Sequence, residues 1–406
     1  MSEFSQNGII STLHDFKTRS TNEIEIDLLK FSKERKMELI LPSLYSELEG
    51  TALPKIVEEI SKTKYLNHII IGLDKANENQ AKNSWKFFKK LKTPFTILWN
   101  DGPKLKKLDK ELKKKDLAPS ELGKGRNVWY CIGMSIARDT ARSVALHDCD
   151  IKTYDRRMLA KLFYPVVNPL FNFEFCKGYY PRVANGKMNG RVARLLVFPL
   201  ITALEKTVGK SDYLDFMKSF KYPLAGEFSF RRNILPELRI SSDWGIEVGV
   251  LSEMQRNFSP QNICQVDLAD SYDHKHQDLS IDDQTKGLSR MSIDIIKTFI
   301  KKLATQGNSF SRETFRSLKA TYYRSALDLI DIYRNDAEMN GLKFDSHTEE
   351  KTVELFAANI MKAGEAFYLN PMDTPFIPTW SRVKSAIPDF LIRLKEVVNE
   401  DNKKYS

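Results

Sequence analysis

Two aspartates one residue apart, Asp148 and Asp150, close the stretch SVALHDCDI at 143–151. Val144 to Leu146 are small, β-prone residues, so the carboxylates are expected where a buried strand gives way to a loop. Hard oxygen ligands at such a strand end suit Mg²⁺ or Mn²⁺ carrying phosphate oxygens. A phosphatase with an aspartate nucleophile fits poorly. Its D-x-D sits on the first strand with Thr or Val two residues on, whereas Lys152 holds that place here, after a fourth strand.

Other residues extend the same chemistry. Lys124 stands between Gly123 and Gly125 at a helix start, where backbone N–H groups and an ammonium can approach a phosphate. The spacing is not that of a P-loop. His274 and His276 lie in DHKHQD at 273–278. Alternating side chains point apart in an extended segment, so one imidazole could complete the Asp150 site while the other meets a phosphate. Glu227 in PLAGEFSFRR and Glu247 in SDWGIEVGVL have apolar or glycine-rich neighbours, and a buried carboxylate needs a partner or a task. Arg182, Arg191 and Arg194 supply planar forks for carboxylate or phosphate.

The elements that must position these groups read as alternating strands and helices. A strand at 37–41 runs into Pro42, a helix begins near Pro54, a strand at 68–73 ends at Asp74, a helix surrounds Trp85, and a strand covers 95–99. That rhythm predicts an α/β fold with a parallel sheet wound by helices. The helix opened by Gly123 carries the stripe Val128, Trp129, Ile132 and Ile136 and feeds the strand before Asp148, so both aspartates fall at a carboxyl end of the sheet, where open α/β sheets bind ligands. Phe171, Phe173 and Phe175 alternate like a strand, and 190–204 reads as an apolar helix up to and around Pro199. Beyond 280 the pattern is helical, with Pro371, Pro375 and Pro378 interrupting before a last helix at 383–398. This region reads as a packing or oligomerisation surface.

Composition narrows the classes. The 406 residues carry a net charge of +10, so anionic partners are expected, either phosphorylated metabolites or nucleic acid. Much of the excess lies in KLKKLDKELKKK at 104–115, whose leucines at spacings of three and four predict a solvated amphipathic helix. No aromatic platform or zinc-finger spacing accompanies it, leaving a basic nucleic-acid-binding protein as the alternative from another class. No apolar run approaches a membrane span, and the first residues lack the layout of a secretory signal. Four widely spaced cysteines suit reduced thiols in a cytoplasm.

Taken in order, LPSLYSE after the first strand, GKG before a helix, the D-x-D strand end, GRV before an apolar helix, PLAGE followed by RR, WGIEVG, and a histidine after QVDL resemble the glucosyl-3-phosphoglycerate synthase family. The match runs from about Glu38 to His276. Mannosylglycerate synthases share several of these motifs, but GRV and the continuation of WGIEVG favour the phosphoglycerate enzymes.

The resemblance implies a retaining, metal-dependent glycosyltransferase of the type-A fold with a helical C-terminal extension. It would move glucose from a nucleotide-glucose, UDP-glucose before GDP-glucose, to 3-phosphoglycerate. The runner-up within the class transfers mannose or glucose to unphosphorylated glycerate. Implied domains are a lead-in at 1–35, a nucleotide-sugar half at 36–160, an acceptor half at 161–280 and the extension at 281–406. Pro42, Ser43, Leu44, Glu47, Asp74, Lys124, Asp148 and Cys149 would face the donor, and Asp150 with His274 would hold Mg²⁺ or Mn²⁺. Gly190, Arg191, Val192, Ala193 and His276 would face the acceptor. Glu247 would engage the donor glucose or the acceptor hydroxyl, so Glu247, Asp150 and Arg191 would carry catalysis. A homodimer in the cytoplasm is implied as well. Where the family has L-N-E-E this chain has L-Y-S-E, and Ala193 replaces a threonine.

Overall fold

The computed structural model describes residues 6, 8–274, 287–371 and 376–405. Its strands are β1 (Ser11–Leu13), β2 (Met37–Leu44), β3 (Leu66–Asp74), β4 (Phe95–Trp99), β5 (Ser143–Leu146), β6 (Phe175–Tyr179), the short hairpin β7 (Val183–Ala184) and β8 (Lys187–Met188), then β9 (Phe228–Arg231) and β10 (Ile263–Asp267). Eight of them form one sheet in the order β1-β10-β6-β9-β5-β2-β3-β4. Strand β9 runs antiparallel to both β5 and β6, and the remaining pairs are parallel. Helices cover both faces, which is why β2, β3 and β5 are almost wholly buried and read as continuous apolar runs.

Two details of register shape the site. Strand β5 pairs with β2 only as far as Leu146 opposite Ile40. Pro42 lies beyond that point, so its missing N–H costs the sheet no bond on that side. Antiparallel β9 sets Phe228 opposite Leu146, which brings Gly226 and Glu227 alongside the loop that follows β5.

Several elements differ from expectation. Phe171 and Phe173 lie before β6 in a loop, where they pack edge to face 5.9 Å apart, so their alternation reflects ring packing and not a ladder. The 190–204 helix opens with wide turns over Val192–Val197 before α-helical turns over Phe198–Val208, with Pro199 in the first of those. The last helix is two, Trp380–Ala386 and Phe390–Tyr405, separated at Pro388. Strands β1, β9 and β10 depart from the expected pattern, because each is only three to five residues long.

The lysine-rich segment is the amphipathic helix Pro103–Lys113, with Leu105, Leu108 and Leu112 buried. The region after 287 is mostly three long helices, Gly287–Thr305, Arg312–Met339 and Ser346–Leu369. It shares one apolar cluster with the α/β part: Trp129 and Leu200 continue into Phe315, Phe356 and Trp380. Trp129 and Trp380 stack at 3.9 Å, and Trp380 Nε1 donates to the Trp129 carbonyl at 3.0 Å. Gly133 makes room for that stack, since a Cβ there would lie 2.1 Å from the Trp380 ring.

Candidate active site

The loop after β5 presents Asp148, half-buried, and its Oδ1 lies 2.6 Å from Lys124 Nζ. Lys124 starts the helix Lys124–Arg138 and reaches Glu247 Oε1 at 3.0 Å, on the first turn of the helix Ile246–Asn257. One ammonium therefore joins two carboxylates from distant parts of the chain. Burial opposes its charge, yet Asp148 and Glu247 outweigh that and push the Lys124 pKa up. Glycines permit the approach. A Cβ on Gly226 would stand 2.1 Å from Asp148 Oδ2, and one on Gly125 would stand 2.0 Å from the Ser241 carbonyl oxygen.

Asp150 faces His274, with Oδ2 3.6 Å from Nδ1. The loop carrying His274 is clipped to the aspartate loop: Lys152 N donates to the Asp273 carbonyl at 2.9 Å and Lys152 Nζ to Asp273 Oδ2 at 3.2 Å. Burial raises the Asp150 pKa, but the hydrogen bond to His274 and its charge prevail, and the net direction is down. A carboxylate and an imidazole at one point fit a divalent cation that completes its shell with phosphate oxygens and water. Among the described residues no group of three or more His, Cys, Asp or Glu could hold an ion unaided. The donor's phosphates would have to supply the rest of the shell. His276 lies outside the described residues.

The other donor-side candidates line the same carboxyl ends. Pro42, Ser43 and Leu44 finish β2 and Glu47 sits in the short turn Tyr45–Leu48 after it. Asp74 finishes β3, buried, and accepts from Asn127 Nδ2 at 3.0 Å with Arg126 Nη1 4.0 Å away. Burial raises its pKa. Asn127 and Arg126 were missed, although GKGRN names them directly after the motif. Cys149 is buried between the two aspartates and points into the core, where burial raises its thiol pKa.

Glu227 has partners in place of a free task. It is fully buried and accepts from Tyr180 at 2.6 Å and Tyr272 at 2.9 Å. Those two rings stack in parallel at 3.6 Å. Lys177, another residue missed, lies buried on β6 and donates to the Ala225 carbonyl at 2.6 Å, and burial brings its pKa down to about 8 despite Glu247 and Glu227 nearby.

Acceptor-side candidates follow the hairpin β7–β8. Gly190 adopts φ +78°, a conformation that favours glycine, and turns the chain close to Arg182. Arg182 donates to Tyr222 Oη at 2.9 Å and lies 5.5 Å over the Tyr272 ring, which also meets His274 edge to face. Val192 and Ala193 are buried, so their side chains face the core and only their backbone is available to a ligand. Arg191 remains a third exposed and donates through Nε to Glu349 at 2.8 Å.

The wound, mostly parallel sheet with its polar groups gathered at the carboxyl end matches the glycosyltransferase fold of solved glucosyl-3-phosphoglycerate synthases. No protein-family model matches the chain. The chain belongs to the glucosyl-3-phosphoglycerate synthase family. It is 42% identical over 402 residues to the glucosyl-3-phosphoglycerate synthase of Persephonella marina, covering 99% of each chain. It is 38% identical to that of Methanococcoides burtonii, covering 98% of this chain and 97% of that one. Among solved structures, the glucosyl-3-phosphoglycerate synthase of Mycobacterium tuberculosis with Mn²⁺, UDP-glucose and phosphoglyceric acid aligns with TM-score 0.54 at 19% identity, over 74% of this chain and 89% of that one. The mannosyl-3-phosphoglycerate synthase of Rubrobacter xylanophilus aligns with TM-score 0.54 at 18% identity, over 74% and 83%. At that identity the structures share the fold.

Proposed function

We propose that this chain transfers glucose, with retention, from a nucleotide-glucose, UDP-glucose foremost, to 3-phospho-D-glycerate, giving glucosyl-3-phosphoglycerate. The observation that carries the reading is full-length similarity to named synthases. The convergence of Lys124, Asp148, Asp150, Glu247 and His274 supports it. Asp150 and His274 would hold Mg²⁺ or Mn²⁺, whose charge would offset that of the departing nucleoside diphosphate. Lys124 places its charge beside the donor phosphates, and Asp148 and Glu247 orient the sugar by accepting from hydroxyls. The end of β2, Glu47 and Asp74 line the nucleotide. Gly190 and Arg191 hold the acceptor so that its hydroxyl approaches the anomeric carbon.

Retention proceeds by same-face attack, the leaving phosphate taking the acceptor proton. A covalent route needs a free carboxylate nucleophile, yet Glu247 is tied to Lys124 and Glu227 to two tyrosines. Mass-spectrometric trapping of a glucosyl ester on either glutamate would reverse this choice. A cytoplasmic setting and a homodimer complete the reading, the former in keeping with four buried free cysteines. No helix among the described residues is long and apolar enough to cross a membrane. Dephosphorylation elsewhere would give glucosylglycerate, a compatible solute or polysaccharide precursor.

The test is a matrix of nucleotide-sugars against 3-phosphoglycerate and glycerate, with and without divalent metal. Metal-dependent turnover of UDP-glucose with 3-phosphoglycerate is expected. No turnover with any pairing, together with steeply salt-dependent nucleic-acid binding, would replace it with the nucleic-acid reading.

A further inference from the structure

Arg191 and Arg194 are three residues apart at a helix opening, so their like charges share one face. A single carboxylate separates them. Glu349 accepts from Arg191 Nε through Oε1 at 2.8 Å and from Arg194 Nη2 through Oε2 at 2.9 Å. Glu349 is buried, in the first turn of the helix Ser346–Leu369, where the helix dipole favours its negative charge.

The two arginines have different tasks. Arg194 is buried and held through Nε and Nη2: it also donates to the carbonyls of Asn189 at 2.9 Å and Met188 at 3.3 Å, and lies 4.9 Å over the Tyr333 ring. Among the described residues Arg191 is bound through Nε alone, which orients the guanidinium while both terminal nitrogens keep their donors for a ligand. This part of the chain has two more ties to the C-terminal region. Tyr322 donates to the Leu195 carbonyl at 2.6 Å, inside the wide turns of Val192–Val197, and Lys343 N donates to the Gly186 carbonyl at 2.8 Å on the β7–β8 hairpin.

We propose that the C-terminal helical region completes the acceptor site, with Glu349 the positioning residue that aims Arg191 at the phosphate or carboxylate of the acceptor. Rigid aim matters because a bidentate guanidinium contact requires the fork to be pre-set in plane and direction. This rests on Arg191 as an acceptor residue, so the experiment separates the two claims.

Initial rates are measured against both substrates for wild type, Arg191→Ala, Glu349→Gln, Glu349→Asp and the Arg191→Ala/Glu349→Gln double variant. Glu349→Gln and Arg191→Ala should each raise KM for 3-phosphoglycerate about tenfold or more, with KM for nucleotide-glucose within about twofold of wild type. Glu349→Asp should recover part of the loss, and the double variant should be no worse than Arg191→Ala. If Arg191→Ala raises KM but folded Glu349→Gln does not, or if the two losses multiply, the positioning role is wrong and the acceptor assignment stands. If Arg191→Ala leaves KM unchanged, both fall. Should Glu349→Gln not fold, Tyr322→Phe removes one hydroxyl while keeping the ring. It should raise the same KM about threefold, and no change would overturn the proposal.

Discussion

The two sides of the proposed site are built differently. On the donor side the polar groups pair with one another: Lys124 with Asp148 and Glu247, Asp150 with His274, Asp74 with Asn127. All of them stand on, or just beyond, the carboxyl ends of strands and the starts of helices that cover the sheet. On the proposed acceptor side Arg191 is held by a carboxylate more than 150 residues away, on a helix outside the wound sheet. A site made from strand ends inherits its geometry from the sheet's hydrogen bonds. One made from a hairpin and wide helical turns has no such ladder and needs outside ties. On the proposed assignment the donor side draws its geometry from the α/β fold, and the acceptor side is where an added region can set specificity.

Removing a donor-side group tests that contrast most severely. Asp150→Ala should lower kcat/KM about 10³-fold at saturating Mn²⁺ with the fold intact by circular dichroism. Retained activity would mean that the cation is held elsewhere. Lys124→Met should cost about 10²-fold, because Asp148 and Glu247 would then face the donor phosphates uncompensated. Its effect should fall on nucleotide-glucose and not on 3-phosphoglycerate. Equal effects on both would erase the distinction between the two sides.

The sheet itself has a pH limit. His68 on β3 is buried, Nε2 2.9 Å from Thr96 Oγ1, and burial lowers its pKa from 6.5 to about 3. Below pH 6.5 the unfolded chain takes up a proton that the folded one refuses, so stability falls as pH drops from about 6.5 towards 3. The slope from this one group is at most about 1.4 kcal/mol per pH unit. Melting temperatures between pH 7 and 5 should show it, and His68→Gln should remove only part of it, because burial also lowers the pKa of His147 from 6.5 to about 3. The smallest effect is expected at Arg393, which forms a two-pronged pair with Glu111 at 2.8 Å on a half-exposed surface. Arg393→Gln should change stability by under about 1 kcal/mol and leave both KM values alone. A larger kinetic effect would mean that any contact with the C-terminal region tunes the site, and not the Glu349 contact in particular.

The donor side was largely legible. The D-x-D strand end, the glycines around Lys124 and the strand ending at Asp74 are local patterns, and each carries its own geometry. The placement of His274 at Asp150 came from the family resemblance, and the Lys152–Asp273 clip shows how the fold achieves it. Less legible were Glu227, whose apolar setting suggested burial but not the two tyrosines that satisfy it, and Lys177, whose one-residue lysine signal is common on any surface.

The sequence by itself determined the wound sheet, the face of each amphipathic helix and the chemical types gathered at the strand ends, because periods of 2 and 3.6 residues and glycine-bounded turns are written in short windows. Only the tertiary structure decided which carboxylate met which cation. Glu349 lies in SHTEEKTVELF with nothing local to mark it apart from its neighbours Glu350 and Glu354. Its role depends on how the helix Ser346–Leu369 packs beside Arg191, and packing across 158 positions is a property of the folded core, not of any segment.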